Sequence, residues 1–388
     1  MKIREIQKEE IHQMKKLRDY AFRNSSGGGE EDFFYWMDHG NRLGAFENDE
    51  LAAQVVTYPL AVTLFGERYK MGGIAYVATY PEHRRGGLIR QLMTKSIEMM
   101  KEKGQLISYL HPFDVRFYRK FGYELGFHST QLHLELNQFT RKSAGIGQIK
   151  RINHSSPEFA FIKEIYHEYT RNHQGMLVRD DAWWDRLVRR EFTKEMAIYF
   201  DENGEAKGYL SFAFEGMKMT IREFIALTSE AENELWAFIS SHDSMFDVVE
   251  LENAGDIQEF ALGLTNPTAL KIEEELSFMV RIVDVKEFLA RYPFKKHEEV
   301  LYIQVHDEVA PFNNGVYKIE AGTLKELENG EAQENLLEIE IGTLSQMLLG
   351  ATRPQILSAY QKITASEAMI DLLEQIIPKS SPRFYDHF

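Results

Sequence analysis

The chain has 388 residues, with 44% hydrophobic and 27% charged side chains, a composition normal for globular proteins. It is too long for one ordinary hydrophobic core and predicts two or three domains. The absence of cysteine excludes disulfides, thiolate catalysis and cysteine-ligated zinc. The formal net charge of −15 argues against nonspecific nucleic-acid binding and suits a cationic small molecule, although acidity also serves solubility alone.

The first segment, Met1–Ile6, reads as a strand and lacks the long apolar stretch of a signal peptide. The sequence also contains no run of about 18 apolar residues, so we expect a cytoplasmic protein without a membrane span. Further along, hydrophobic periodicity predicts a mixed α/β domain over residues 1–145. Its predicted elements are a helix over 9–22, a glycine-rich loop over 24–31, strands over 43–46, 51–64 and 74–79, a helix over 87–103, a strand over 106–110, a helix over 115–121 and a strand over 131–136.

Residues 146–284 repeat this order of elements. Helices are predicted over 158–172, around Trp183 and over 232–240, and strands over 197–200, 208–214, 221–226 and 247–252. The pattern predicts a duplicated domain, with chance similarity of two βα units as the alternative. A third domain is predicted over 285–388, with strands over 300–305, 315–320 and 336–341 and helices over 285–289, 343–349, 354–359 and 367–377.

The most informative segment is the strand Ile74–Thr79, which leads into Arg84-Arg85-Gly86-Gly87-Leu88-Ile89 and then into a helix. A helix start offers unpaired N–H groups and the positive end of the helix dipole. Glycines let the backbone approach a ligand closely, and the arginines add positive charge. The segment predicts a phosphate or pyrophosphate site that is neither a dinucleotide fingerprint nor a P-loop. An ordinary basic helix cap is the alternative.

This segment resembles motif A of the GNAT superfamily of N-acetyltransferases, except that Ile89 stands where glycine or alanine is usual. The form Pro-x-His-Arg-Arg-x-Gly-Leu, from Pro81 to Leu88, is similar to that of the Eis-like (enhanced intracellular survival) family. The resemblance implies acetyl-CoA as co-substrate. Its pyrophosphate would be held by Arg84, Arg85, Gly86, Gly87, Leu88 and Ile89, and its pantetheine and acyl carbonyl by the backbone of Tyr76, Val77, Ala78 and Thr79.

The resemblance also implies an α/β (α+β) architecture of two tandem GNAT-like mixed-sheet domains followed by a sterol-carrier-protein-like α/β domain, and a homo-hexamer. In the second domain the equivalent loop, Thr228–Glu232, is acidic and free of glycine. Because such a loop repels a pyrophosphate, we expect this domain to have lost CoA binding.

Two further segments match the family. Phe117-Tyr118 and Gly122-Tyr123 follow the GNAT helix-and-turn pattern, which implies that Tyr118 is the general acid and Tyr123 a packing residue. A core contact is the alternative for Tyr118, and His111 is more plausibly structural than a substrate contact. The aromatic-rich tail, residues 380–388, should dock rather than fray.

In Eis-like proteins the terminal carboxylate, here that of Phe388, is the general base. A tail that only packs on the surface is the alternative, and Asp386 and His387 are weaker candidates for the acceptor pocket. The adjacent pairs His306-Asp307 and His167-Glu168 do not have metal-ligand spacing, and we expect them to have surface or packing roles.

These features predict an N-acetyltransferase that transfers an acetyl group directly to an amine, because no cysteine can form an acyl-enzyme. The acceptor would be a small cationic amine, such as an aminoglycoside or a polyamine, or a lysine side chain. A CoA- and lipid-binding regulatory or carrier protein without turnover is the alternative function.

Overall fold

The computed structural model of the chain describes residues 1–22, 29–135, 143–145, 147–190, 195–242, 244–254, 264, 266, 268, 270–320, 322–327 and 336–388. These residues form two compact units. One contains Met1–Phe127, Gln174–Leu177 and Ser277–Phe388, and the other contains His128–His173 and Val178–Leu276.

The first third of the chain alternates strands and helices. Its strands are β1 (Lys2–Glu5), β2 (Asn41–Glu47), β3 (Glu50–Leu64), β4 (Glu67–Thr79), β5 (Ile107–Leu110), β6 (Glu124–Leu125) and β7 (His128–Glu135). Its helices are α1 (Ile11–Ala21), α2 (Gly29–His39), α3 (Leu88–Glu102) and α4 (Val115–Arg119). The elements follow the predicted order, but the loop predicted over 24–31 is wrong for residues 29–31, which begin α2. Its other residues, 24–28, lie outside the described residues.

The middle of the chain repeats this order. Its strands are β8 (Gln148–Ile152), β9 (Glu195–Phe200), β10 (Ala206–Glu215), β11 (Lys218–Ala226), β12 (Val248–Leu251), β13 (Lys271–Leu276) and β14 (Met279–Ile282). Its helices are α5 (Phe159–Arg171), α6 (Asp181–Arg189) and α7 (Ser229–Ser240). A strand, two helices, three antiparallel strands, a helix and a parallel strand therefore follow one another in both halves, as a duplication requires.

The last part of the chain forms a smaller α/β domain. Its strands are β15 (Leu301–His306), β16 (Gly315–Glu320), β17 (Thr323–Leu327), β18 (Leu336–Glu340) and β19 (Ile363–Thr364). Its helices are α8 (Val285–Arg291), α9 (Ile341–Leu348), α10 (Pro354–Ala359) and α11 (Glu367–Ile376). The five strands form one sheet in the order β17-β16-β15-β18-β19.

The two larger sheets have matching strand orders. The first is β1-β2-β3-β4-β5-β14-β6 and the second is β8-β9-β10-β11-β12-β7-β13. In each sheet the sixth strand comes from another part of the chain. In the first sheet it is β14, and in the second sheet it is β7. Each therefore lies outside the sequence range predicted for the sheet in which it pairs.

Each sheet packs helices against an apolar face. In the first, α3 is amphipathic and buries Leu92, Met93 and Ile97 against the inner strands. In the second, α7 buries Leu235, Trp236 and Ile239 in the same way. Burial of such side chains is the main stabilising contribution to both units. In the described part of the chain, no helix is long and apolar enough to cross a membrane.

Candidate active site

The site forms where β4 leaves its parallel neighbour. The two strands pair from Met71 with Ile107 to Ile74 with Leu110, where β5 ends. Strand β4 continues to Thr79, so the backbone edge of its last residues has lost this neighbour. Unpaired strand edges carry N–H and C=O groups that bind an extended ligand.

A bulge lies in the same stretch of β4. Gln54 pairs with Ala78 and Val56 with Ala75, so two β4 residues, Tyr76 and Val77, stand opposite one β3 residue. Tyr76 has a φ of 50°, an uncommon conformation for a residue with a side chain. The bulge bends β4 locally beside the cleft, as bulges next to active sites do.

The glycine-rich loop ends in an open helix N-terminus. Gly87 precedes α3 with a φ of 73° and, as a glycine, has no side chain to cap the helix. A Cβ built on Gly87 would meet no described atom within 4 Å, so the space over the first turn is free. The first N–H groups of α3 are therefore available to an anion.

A cavity of about 670 Å³ lies over this helix start. Most of the predicted CoA-binding residues line it, namely Val77, Ala78, Thr79, Arg84, Arg85, Gly87, Leu88 and Ile89. Tyr76 and Gly86 do not line it, and the ring of Tyr76 instead packs edge-on against Phe22 and Phe33.

The cavity also has walls that the sequence analysis missed. They comprise Ala21, Phe22, His83, Arg90, Phe113, Phe117, Lys120 and Phe121. The recurrence of phenylalanine every four residues, at positions 113, 117 and 121, was the signal that could have identified one wall. Arg85 and Lys120 form no ion pair with any described residue, whereas Arg90 is bonded to Glu308 at 2.6 Å.

Tyr118 lies on α4 beside this aromatic wall. The Asp114 carboxylate caps the helix by accepting bonds from the N–H groups of Arg116 and Phe117, at 2.8 and 3.3 Å. Tyr118 is buried, with ring contacts to Phe113 and Phe117. Its hydroxyl forms no hydrogen bond with any described residue.

The electrostatic setting keeps this phenol protonated. Burial, with a smaller contribution from the neighbouring Tyr123, raises the pKa of Tyr118 well above its usual value. The proton is therefore present at neutral pH, as a general acid requires.

Tyr123 has a different environment although it is only five residues away. Its hydroxyl shares a 2.7 Å hydrogen bond with Ser108 Oγ, which donates to the Gly72 carbonyl at 2.7 Å. Burial raises the pKa of Tyr123 to about 12. This tyrosine ties β4, β5 and the turn after α4 together, which is a packing role.

The C-terminal tail docks on the same strand. The Phe388 ring lies against Gly73, where an added Cβ would stand 2.9 Å from the ring edge, so this contact requires glycine. The ring also approaches those of Tyr58 and Phe278, with centroid distances of 6.4 and 5.6 Å. Gly73 immediately precedes Ile74, the last β4 residue that pairs with β5. The chain end therefore lies beside the start of the cleft.

The rest of the tail is anchored nearby. Phe384 is buried against Tyr109, Phe127 and Phe278, with centroid distances of 5.4, 5.6 and 4.8 Å. The Arg383 N–H donates to the Gln174 carbonyl at 2.7 Å. These contacts match the expectation that an aromatic tail docks instead of fraying.

The other candidates of the tail region differ in exposure. Asp386 is buried, whereas His387 is exposed and lies 6.0 Å, centroid to centroid, from the exposed ring of His111. Among the described residues, no group of three or more histidine or acidic side chains is placed to hold a metal ion.

At the equivalent helix start in the second unit, a side chain of the protein caps the helix and acidic residues occupy the first turn. The Thr228 side chain caps α7 by accepting from the Ala231 N–H at 3.1 Å. Glu230 and Glu232 occupy the first turn, and Glu230 accepts a hydrogen bond from the Tyr199 hydroxyl. Negative charge at this end opposes a second anion.

Comparison with known proteins agrees with this architecture. Residues 2–126 match a family model described as an acetyltransferase (GNAT) domain, and residues 175–282 match a second model with the same description. Residues 285–385 match a sterol carrier protein domain. The two GNAT matches together cover more than half of the chain.

Individual relatives span nearly the same length. An uncharacterized N-acetyltransferase of Streptomyces avermitilis is 24% identical over 332 residues, which are 79% of this chain and 78% of the relative. The N-acetyltransferase Eis of Mycobacterium bovis is 23% identical over 345 residues, covering 85% of this chain and 83% of the relative.

Solved structures reproduce the complete fold. A probable N-acyltransferase from Enterococcus faecalis superposes with a TM-score of 0.91 at 29% identity, covering 100% of this chain and 99% of the other. Eis1 from Mycobacterium abscessus shares the fold, with a TM-score of 0.84 at 18% identity and 100% coverage of both chains. From the domain matches, these relatives and the site geometry, we conclude that the chain belongs to the Eis-like family of GNAT N-acetyltransferases, enzymes that use acetyl-CoA as co-substrate.

Proposed function

We propose that this protein transfers the acetyl group of acetyl-CoA directly to an amine of a cationic acceptor. The observation that carries the proposal is the cleft at the end of β4. The start of α3 and Phe117 of the Tyr118 helix both line the cavity there, and the Phe388 ring docks against Gly73 of the same strand.

The loop before α3 holds the CoA pyrophosphate. The N–H groups of Gly87, Leu88 and Ile89, residues that line the cavity at the helix start, bind it, and Arg84 and Arg85 supply positive charge. Gly86 lies in this loop without lining the cavity. The backbone of Tyr76, Val77, Ala78 and Thr79 holds the pantetheine and the acyl carbonyl along the free edge of β4.

The chemical step needs two proton transfers. The amine nitrogen attacks the thioester carbon, a C–N bond forms, and the C–S bond breaks to release the CoA thiolate. Tyr118 donates its hydroxyl proton to the thiolate, and the terminal carboxylate of Phe388 accepts the proton that the amine loses. The position of Tyr118 supports this assignment, because its ring contacts Phe113 and Phe117, which line the cavity.

The acceptor class is proposed from charge. The net charge of −15 attracts amines, which are cationic at neutral pH. A carboxylate at the chain end would both attract such an amine and accept its proton. An aminoglycoside, a polyamine or a lysine side chain meets these requirements. We also propose a cytoplasmic location and assembly into a homo-hexamer, which family resemblance supports.

A thiol-release assay with acetyl-CoA tests the function. We expect CoA release only when a cationic amine is present, at a rate that rises with acceptor charge across matched mono-, di- and polyamines. The acetylated amine, detected by mass spectrometry, should account for all the released thiol. CoA binding without release against every amine would contradict the proposal and favour a regulatory or carrier protein.

Replacing Tyr118 with phenylalanine tests the general acid. The ring and its packing remain while the proton is lost, so turnover should fall by ~10²–10⁴-fold with unchanged acetyl-CoA affinity. Tyr123→Phe is the matched control, because it removes a hydroxyl that is bonded to Ser108. The control should lose about 1 kcal/mol of stability but little turnover. A Tyr118→Phe enzyme within a few-fold of wild type would assign protonation of the thiolate to another group.

Extending the chain beyond Phe388 tests the terminal carboxylate. A short Gly-Ser extension moves the charge but leaves the ring available to dock against Gly73. Turnover should fall by ~10²-fold, because proton acceptance is lost while CoA binding persists. Phe388→Leu is the control that keeps the carboxylate and should retain more activity than the extended chain. Wild-type turnover by the extended chain would show that the tail is only structural.

A further inference from the structure

A buried arginine connects the third domain to the turn that follows Tyr118. Arg281, on β14, is fully buried, and its guanidinium donates to the Phe121 carbonyl and to the Asp307 carboxylate. Phe121 belongs to the first domain and Asp307 to the third, while Arg281 lies between them in sequence. One side chain therefore fixes two parts of the chain at the edge of the active site.

In the third domain, several hydrogen bonds fix the Asp307 carboxylate in place. One oxygen of Asp307 accepts from the Val309 and Ala310 N–H groups at 3.1 and 3.0 Å. The other accepts from Asn313 Nδ2 at 2.9 Å in addition to Arg281. A carboxylate bonded to this many donors is held in one place, so it fixes the guanidinium in one orientation.

The other end of the contact closes α4. The Phe121 N–H donates to the Tyr118 carbonyl at 2.9 Å, and the Gly122 N–H donates to the Arg119 carbonyl at 3.0 Å. Gly122 has a φ of 73°, and an added Cβ would stand 2.0 Å from Arg281 Nη1. The guanidinium thus fills the space that a side chain at position 122 would need. It also holds the backbone one turn after Tyr118.

An apolar residue in place of Arg281 would not reproduce this arrangement. It would leave the Phe121 carbonyl buried without its donor, and the turn would be free to shift. Phe121 also lines the cavity, so a shift would move the aromatic wall together with Tyr118. Displacements of about 1 Å at a catalytic group can cost ~10²-fold in rate.

We propose that Arg281, oriented by Asp307, is a positioning residue that aims the Tyr118 hydroxyl, which makes the third domain a working part of the acetyl-transfer site. This inference rests on the proposed role of Tyr118 as general acid. It assigns to the sterol-carrier-like domain a mechanical role in catalysis that needs no lipid ligand.

A double-mutant cycle tests the coupling. The variant Arg281→Met/Asp307→Asn removes both charges and keeps an oxygen at position 307 for the loop N–H groups. We expect it to bind acetyl-CoA within twofold of wild type by calorimetry and to lose ~10–100-fold in kcat. Adding the same pair of replacements to Tyr118→Phe should lower kcat by less than threefold further, because no acid remains to be positioned.

A second buried pair provides the matched control. Arg179 and Glu223, bonded at 2.7 Å and equally buried, lie in the other compact unit. Arg179→Met/Glu223→Gln should leave kcat near wild type at a temperature below its melting point, and its effect should be additive with Tyr118→Phe. If the Arg281–Asp307 pair only stabilised the fold, its replacement would likewise be additive with Tyr118→Phe.

The outcomes distinguish failure of the positioning role of Arg281 from failure of the general-acid role of Tyr118. Additivity between the Arg281 pair and Tyr118→Phe, with Tyr118→Phe itself strongly impaired, would overturn the positioning role and leave the general acid in place. A harmless Tyr118→Phe would instead refute the general acid. If the double replacement does not fold, the same cycle with Arg281→Lys, which keeps the charge but loses the bidentate reach, gives the same two alternatives.

Discussion

The site depends on one interruption of backbone pairing, the end of the contact between β4 and β5 after Ile74 and Leu110. Up to this point the two strands form an ordinary parallel ladder. Beyond it, β4 carries free backbone groups toward the helix start at Gly87. The same strand receives the tail at Gly73. The strand edge, the helix start and the docked tail that the proposed function uses are thus all arranged around the end of one short strand.

The duplicated domain differs from the first in the features that the proposed CoA site uses. Both halves keep the order of elements and a parallel strand after the central helix. The difference lies in the first helical turn, where Gly87 leaves the N–H groups open and Thr228 caps them. Glu230 and Glu232 add negative charge where an anion would bind. Local capping chemistry, not the fold, therefore distinguishes the two halves.

The order of the elements and most residues of the candidate site could be predicted from the sequence, because the motifs that indicate them are local. The strand–loop–helix segment at Arg84–Ile89 and the tyrosine on α4 are recognisable within short windows. Helix α2 was partly misassigned as loop, because its start at Gly29 lies in a glycine-rich stretch and tertiary packing overrides low helix propensity. The placement of β7 and β14 could not be predicted, because it depends on pairing between residues far apart in sequence.

The side-chain contacts described above could not be predicted from the sequence either. Nothing near Arg281 or Asp307 in the sequence indicates that they meet, since both lie in ordinary segments that fold together only when the sheets form. The requirement for glycine at position 73 becomes visible only with the Phe388 ring against it. Contacts of this kind set the geometry of the site, whereas the motifs identify its chemistry.

The most direct measurement of the central claim is calorimetric titration of acetyl-CoA into the wild-type protein and into two glycine variants. Gly87 and Gly104 flank the same helix, have φ values of 73° and 68°, and both have open space where a Cβ would stand. Gly87→Val and Gly104→Val therefore carry similar backbone strain, but only the first fills the space over the helix start.

We expect one site per wild-type chain, the same site in folded Gly104→Val, and no detectable binding in folded Gly87→Val. Two sites per chain, or unchanged affinity in Gly87→Val, would contradict CoA binding at the start of α3.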